Sequence, residues 1–123
     1  MPKTILIIGA KSDISIEIAK KYASKGYNLQ LVGRKIAELS IILNELKGMY
    51  EINITSHELD ILNYDLIPNF VKNLNPLPEI VLCAVGFLGN QKEDEKSLDH
   101  SNLVMKSNFE GPALILGEFA NYF

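Results

Sequence analysis

Apolar positions run unbroken from Ile5 to Ile8, stop at Gly9, and return after Asp13 at helical spacing as Ile14, Ile18, Tyr22 and Ala23. The unbroken run predicts a strand buried on both faces. The change of period predicts a helix over residues 14–25, with Ser12 or Asp13 as its N-cap and Gly26 at its C-terminal end. The pattern then repeats. Asn28–Gly33 reads as a second strand, and Ile36, Leu39, Ile42, Leu43 and Leu46 form one stripe of a second helix over 35–47, with Gly48 as its stop. Residues 52–59 alternate loosely and predict a third strand ending at Asp60. A short helix over 65–74 follows, built around Leu66, Phe70, Val71 and Leu74, with Pro68 in its first turn. Asn75-Pro76-Leu77-Pro78 stops it. A second unbroken apolar run, Ile80 to Val85, marks a fourth strand over 79–85. A polar, glycine-containing loop over 86–95 leads to a long final helix from Leu98 onward, with Pro112 as an irregularity.

Alternation of strand and helix predicts right-handed crossovers and a doubly wound parallel sheet of the Rossmann-like α/β class, with helices on both faces. A ligand turn after the first strand predicts the strand order 3-2-1-4. The length, 123 residues, predicts a single dinucleotide-binding domain.

Composition narrows the function classes. Hydrophobic residues make up 47% of the chain, enough for a core, and 12 basic against 15 acidic residues give a net charge of −3. No basic patch dominates, so nucleic acid is not an expected partner. Cys83 is the only cysteine, which excludes an intrachain disulfide and a zinc-ligand pattern; His57 and His100 are isolated, so no metal is expected. The apolar run at the start is too short to span a membrane, and the N-terminus lacks a signal-peptide layout, which predicts a cytoplasmic protein without membrane partners.

The chemistry concentrates where strands give way to helices. Gly9 supplies the sharp turn after the first strand. A helix starting near Ile14 would aim its unpaired N–H groups at the carboxyl end of that strand, which is a ready site for an anion such as a dinucleotide pyrophosphate. Gly9, Lys11, Ser12, Asp13 and Ile14 are therefore candidate cofactor residues. Arg34 stands at the carboxyl end of the second strand, where an acidic residue would meet the 2′-hydroxyl of NAD; a guanidinium there suits the 2′-phosphate of NADP. A solvated basic helix start is the plainer alternative.

These features in this order resemble the short-chain dehydrogenase/reductase family, over nearly the whole chain but only the first half of a typical member. The family's Gly-x-x-x-Gly-x-Gly signature falls on Gly9, Asp13 and Ser15. The resemblance implies that Asp60 accepts a hydrogen bond from the adenine amino group and that the N–H of Ile61 meets the ring; a turn or helix-capping Asp is the alternative. Cys83-Ala84-Val85-Gly86 stands where the family has Asn-Asn-Ala-Gly, so Ala84, Val85 and Gly86 would line the cofactor through their backbones, and Cys83 is expected to be a buried small hydrophobe. Asn108, followed by Phe109-Glu110-Gly111-Pro112, aligns with the Asn of the family's Asn-Ser-Tyr-Lys catalytic set, where it holds a water in a proton relay.

Two departures stand out. Asp13 replaces a glycine that lets the backbone approach the pyrophosphate. A carboxylate about 5 Å from a phosphate charge costs about 3 kcal/mol at an effective dielectric of about 20, unless Asp13 points to solvent or Lys11 offsets it. The second departure is that no Tyr-x-x-x-Lys occurs in the 123 residues. The family's general acid/base is that Tyr, with the Lys lowering its pKa. The resemblance thus implies the cofactor portion of an NADP-dependent oxidoreductase, inactive as these 123 residues alone. The other readings are a non-catalytic nucleotide-binding or regulatory module, and a response-regulator receiver domain; the receiver needs an acidic pair after the first strand, where Gly9-Ala10 stands. The final helix, apolar on more than one face, implies a homo-oligomer formed through it, as in the family.

Overall fold

Residues 2–84 and 110–123 are described by the computed structural model. They divide between two compact units. The first holds the chain up to Asp60 together with Leu74–Ala84, and the second holds Ile61–Asn73 together with the described residues from Glu110 onward.

The first unit is built on a four-stranded sheet. Its strands are β1 (Thr4–Ile8), β2 (Asn28–Gly33), β3 (Ile54–Glu58) and β4 (Ile80–Cys83), all parallel, in the order β3-β2-β1-β4. This is the doubly wound, Rossmann-like order. Every residue of β1 is buried, Thr4 included, as a central strand with a near-continuous apolar run should be. Ile5, Ile7, Leu29 and Leu31 point to one face and join Ala19 and Ala23 of α1 (Asp13–Ser24), Leu39 of the 3-10 turn Ile36–Leu39, and Leu43 and Leu46 of α2 (Ser40–Met49) in one core cluster. Leu6, Ile8 and Val32, one residue out of phase, make the opposite face just as dry. Gln30 shares that face; its amide Nε2 donates to the carbonyl of Pro76 at 2.8 Å, while its Oε1 is buried without a partner among the described residues.

Local chemistry explains most boundaries. Ser12 caps α1, its Oγ accepting from the N–H of Ser15 at 3.2 Å, and Gly26 follows the helix at φ +83°. The second helical segment opens as a 3-10 turn, Ile36–Leu39, before α2, and Ile36, Leu39, Leu43 and Leu46 of the predicted stripe are buried. Gly48 does not end α2, which runs through it to Met49. The predicted inward face of α1 needs correction. Ile14 is 65% exposed, and the buried seam is Ser15, Ala19 and Ala23. A seam of small residues lets the helix axis approach the sheet closely, and the larger Ile16, Ile18 and Tyr22 flank it half-buried.

In the second unit a 3-10 turn, Tyr64–Leu66, leads into α3 (Ile67–Lys72), with Pro68 in the first turn of the helix. Ile67 and Val71 are buried, whereas Leu66, predicted to face inward, is exposed. The helix α4 (Gly111–Ala120) packs with α3 and buries Ile115 and Phe119. Its residues Leu114 and Leu116 are exposed.

Candidate functional site

Parallel pairing places the carboxyl ends of all four strands on one rim. Ile8 is level with Val32 and with Cys83, and Gly33 is level with Glu58. The next residues, Gly9, Arg34, Leu59-Asp60 and Ala84, therefore leave the sheet on the same side. The order reverses at β1, which has β2 on one side and β4 on the other. Open α/β sheets bind ligands outside the strand ends at such a switch point.

The turn after β1 is fixed by backbone geometry. Gly9 has φ +79°, a conformation that an L side chain resists. Its N–H and that of Ala10 both donate to the carbonyl of Val32, at 2.9 and 3.2 Å, and the N–H of Ser12 returns to the carbonyl of Gly9 at 3.3 Å. Ser12 Oγ accepts from Ser15 N–H and donates to Ser15 Oγ at 2.8 Å. Ser15, at the signature's third glycine position, is 0% exposed and absorbed into the cap. The N–H groups of Asp13 and Ile14, the first two of α1, have no acceptor among the described residues. Such orphan donors, with the positive end of the helix dipole behind them, suit a phosphate. The Asp13 side chain is exposed. Lys11 does not offset it, because Lys11 Nζ pairs instead with Glu38 Oε1 at 3.3 Å.

At the end of β2, Arg34 is exposed and Lys35 adopts the left-handed conformation, φ 51° and ψ 42°. Glu58, the last residue of β3, holds this turn. Its Oε2 accepts from Lys35 N–H at 2.8 Å and its Oε1 from Ile36 N–H at 3.0 Å. The Ile36 and then the Lys35 hydrogen bond hold the Glu58 carboxyl below its ordinary pKa, and the charge of Lys11 adds to the effect. Sequence reasoning passed over Glu58. Its only signal was an acidic residue two positions before Asp60, which has no meaning until β2 and β3 are paired.

Asp60 follows Leu59, whose N–H donates to Gly33 O at 3.1 Å and continues the ladder beyond β3. Ala84 N–H likewise donates to Ile8 O at 2.9 Å, which sets Ala84 beside the Gly9 turn. Cys83 is half-buried in β4. Ile61 is buried and opens the second unit. Val85, Gly86 and Asn108 lie outside the described residues.

The rim carries two N–H donors without an acceptor among the described residues and an exposed guanidinium, and comparison with known proteins decides the family. The family model described as short chain dehydrogenase matches residues 3–123. This chain belongs to the short-chain dehydrogenase family. Members of the family bind a nicotinamide dinucleotide, NAD or NADP, and act as oxidoreductases. The chain is 28% identical over 117 residues to 11-beta-hydroxysteroid dehydrogenase-like 3 of Arabidopsis thaliana, covering 92% of this chain and 38% of that protein. It is 28% identical over 104 residues to the very-long-chain 3-oxoacyl-CoA reductase of Candida glabrata, covering 76% and 30%. Its fold superposes with TM-score 0.85, at 21% identity, on the bulky-bulky ketone specific alcohol dehydrogenase of Comamonas testosteroni, covering 100% of this chain and 50% of that one. The chain thus spans half or less of the length of these three proteins. Among the described residues no helix is long and apolar enough to cross a membrane.

Proposed function

We propose that this chain is the cofactor-binding part of an NADP-dependent oxidoreductase that interconverts a carbonyl and an alcohol. The observation that carries the choice of NADP is Arg34. It is exposed at the carboxyl end of β2, and its neighbours Gly33 and Lys35 supply no carboxylate for a 2′-hydroxyl. Charge-assisted bonds from a guanidinium to a phosphate are strong and directional. In this reading the N–H groups of Asp13 and Ile14 take the pyrophosphate, with Gly9, Lys11 and Ser12 shaping the turn. Asp60 takes the adenine amino group, and the N–H of Ile61 meets the ring. Ala84, Val85 and Gly86 line the cofactor, and Asn108 holds a water near the reacting carbonyl. The bound cofactor supplies the hydride. The names of the matched relatives, a steroid dehydrogenase-like protein and an oxoacyl-CoA reductase, support carbonyl/alcohol chemistry.

Calorimetric titration with NADPH and NADH tests the reading. A hydrogen bond to a charged group contributes about 1.5–3 kcal/mol, so NADPH should bind roughly ten- to hundredfold tighter, and Arg34→Ala should remove the preference. Equal affinities in the unaltered protein would refute it. The second reading is a non-catalytic nucleotide-binding module, which would use the same N–H donors at the start of α1 without turning over a substrate. NADPH oxidation by the whole protein with a panel of aldehydes and ketones separates the two. We also infer a homo-oligomer through the C-terminal helix, supported by the exposed Leu114 and Leu116 of α4.

A further inference from the structure

The turn that carries Arg34 is tied down on both sides by the strand that follows it in the sheet. On one side Gly33 O accepts from Leu59 N–H at 3.1 Å. On the other, both oxygens of Glu58 are spent on consecutive N–H groups, Lys35 at 2.8 Å and Ile36 at 3.0 Å. Between these anchors Lys35 sits at φ 51°, which is costly for a residue with a Cβ and persists only where the surroundings over-determine it. Within the turn Lys35 makes no side-chain cap, and its carbonyl accepts from Glu38 N–H at 3.1 Å. From outside the turn, the Glu58 carboxylate holds the N–H of Lys35 and that of the residue after it. Because both of its oxygens face backbone donors, the carboxylate holds the turn in place without a bond to Arg34.

We propose that Glu58 is a positioning residue for cofactor discrimination: by chelating the N–H groups of Lys35 and Ile36, it holds the Arg34 turn ready for the 2′-phosphate. The proposal rests on the reading of Arg34 as the 2′-phosphate ligand. A mobile turn must be ordered when the phosphate binds, and that cost falls on affinity. NADH makes no use of the guanidinium, so it escapes the cost. The effect of Glu58 is therefore selective between the two cofactors, which a general loss of stability is not.

The test titrates NADPH and NADH into the whole protein with wild-type sequence, Arg34→Ala, Glu58→Gln and the double variant. Gln keeps one acceptor oxygen and sets an NH2 against the other N–H. Glu58→Gln should weaken NADPH by roughly three- to tenfold and leave NADH within about twofold. In the Arg34→Ala background it should do nothing further to NADPH, because residues acting as one unit are non-additive. Amide hydrogen exchange at Lys35 and Ile36 should speed up in Glu58→Gln. If Glu58→Gln does not fold, Glu58→Asp, which keeps the charge and shortens the reach, should show the same selective loss. Equal weakening of both cofactors, no weakening of NADPH, or an undiminished effect of Glu58→Gln on NADPH in the Arg34→Ala background would each overturn the role of Glu58. An unchanged NADPH preference in Arg34→Ala would overturn the reading of Arg34 and the proposal with it.

Discussion

Lys11 Nζ lies 3.3 Å from Glu38 Oε1, a pair that joins the turn after β1 to the 3-10 turn after β2. Both side chains are substantially exposed, so the pair is screened by solvent. Lys11→Ala should lower stability by less than about 1 kcal/mol in urea denaturation at moderate salt. A larger loss would mean that Lys11 acts on the fold through more than this one partner.

Two glycines should respond to the same substitution with opposite sign. Gly9 sits at φ +79°, and Gly9→Ala forces a Cβ into the left-handed region, costing roughly 1–2 kcal/mol. Gly48 lies inside α2, and a Cβ there meets nothing within 4 Å. Gly48→Ala should stabilise the protein by roughly 0.5–1 kcal/mol, since Ala is the better helix former and loses less backbone freedom. Thermal denaturation of the two variants checks both signs; stabilisation by Gly9→Ala would contradict the turn geometry.

The Glu58 clamp should fade in acid. The folded protein holds the Glu58 carboxyl below its ordinary value of 4.5, because the Ile36 and Lys35 N–H groups favour the carboxylate. A depressed carboxyl pKa means that the unfolded chain binds the proton first. The contribution is therefore present above 4.5 and is lost as pH falls below it, through the folded-state pKa. Urea titrations of wild type and Glu58→Gln should show a stability gap near neutral pH that narrows by about pH 3. His57, whose burial lowers its pKa from 6.5, also destabilises the fold in acid, and its contribution cancels in the comparison of the two proteins. A gap that widens in acid would contradict the assignment.

Self-association should respond to Leu114 and not be judged from Phe119. Leu114 is 45% exposed on α4, whereas Phe119 is 1% exposed within the core of its unit. Leu114→Glu should lower the sedimentation coefficient of an assembly formed through α4 and leave the fold intact. Phe119→Glu would bury a charge and unfold the unit whatever its assembly state. An unaltered assembly in Leu114→Glu would move the contact away from this helix.

The sequence by itself determined the strand–helix alternation, the parallel sheet in order 3-2-1-4, and the placing of Gly9, Arg34, Asp60 and Ala84 just beyond strand ends. Hydrophobic period, caps and turn residues are local properties, and in a parallel sheet a strand end is already a place in space. Tertiary structure alone decided the rest. The seam of α1 is Ser15, Ala19 and Ala23 instead of a face that includes Ile14, because the closeness of helix to sheet selects small side chains over hydrophobic ones. Lys11 finds Glu38, 27 residues away, instead of the nearby Asp13. Glu58 reaches Lys35 and Ile36 across 23 and 22 residues, through a pairing of β2 with β3 that no local pattern contains. Contacts of that range depend on register, and register exists only once the strands have met.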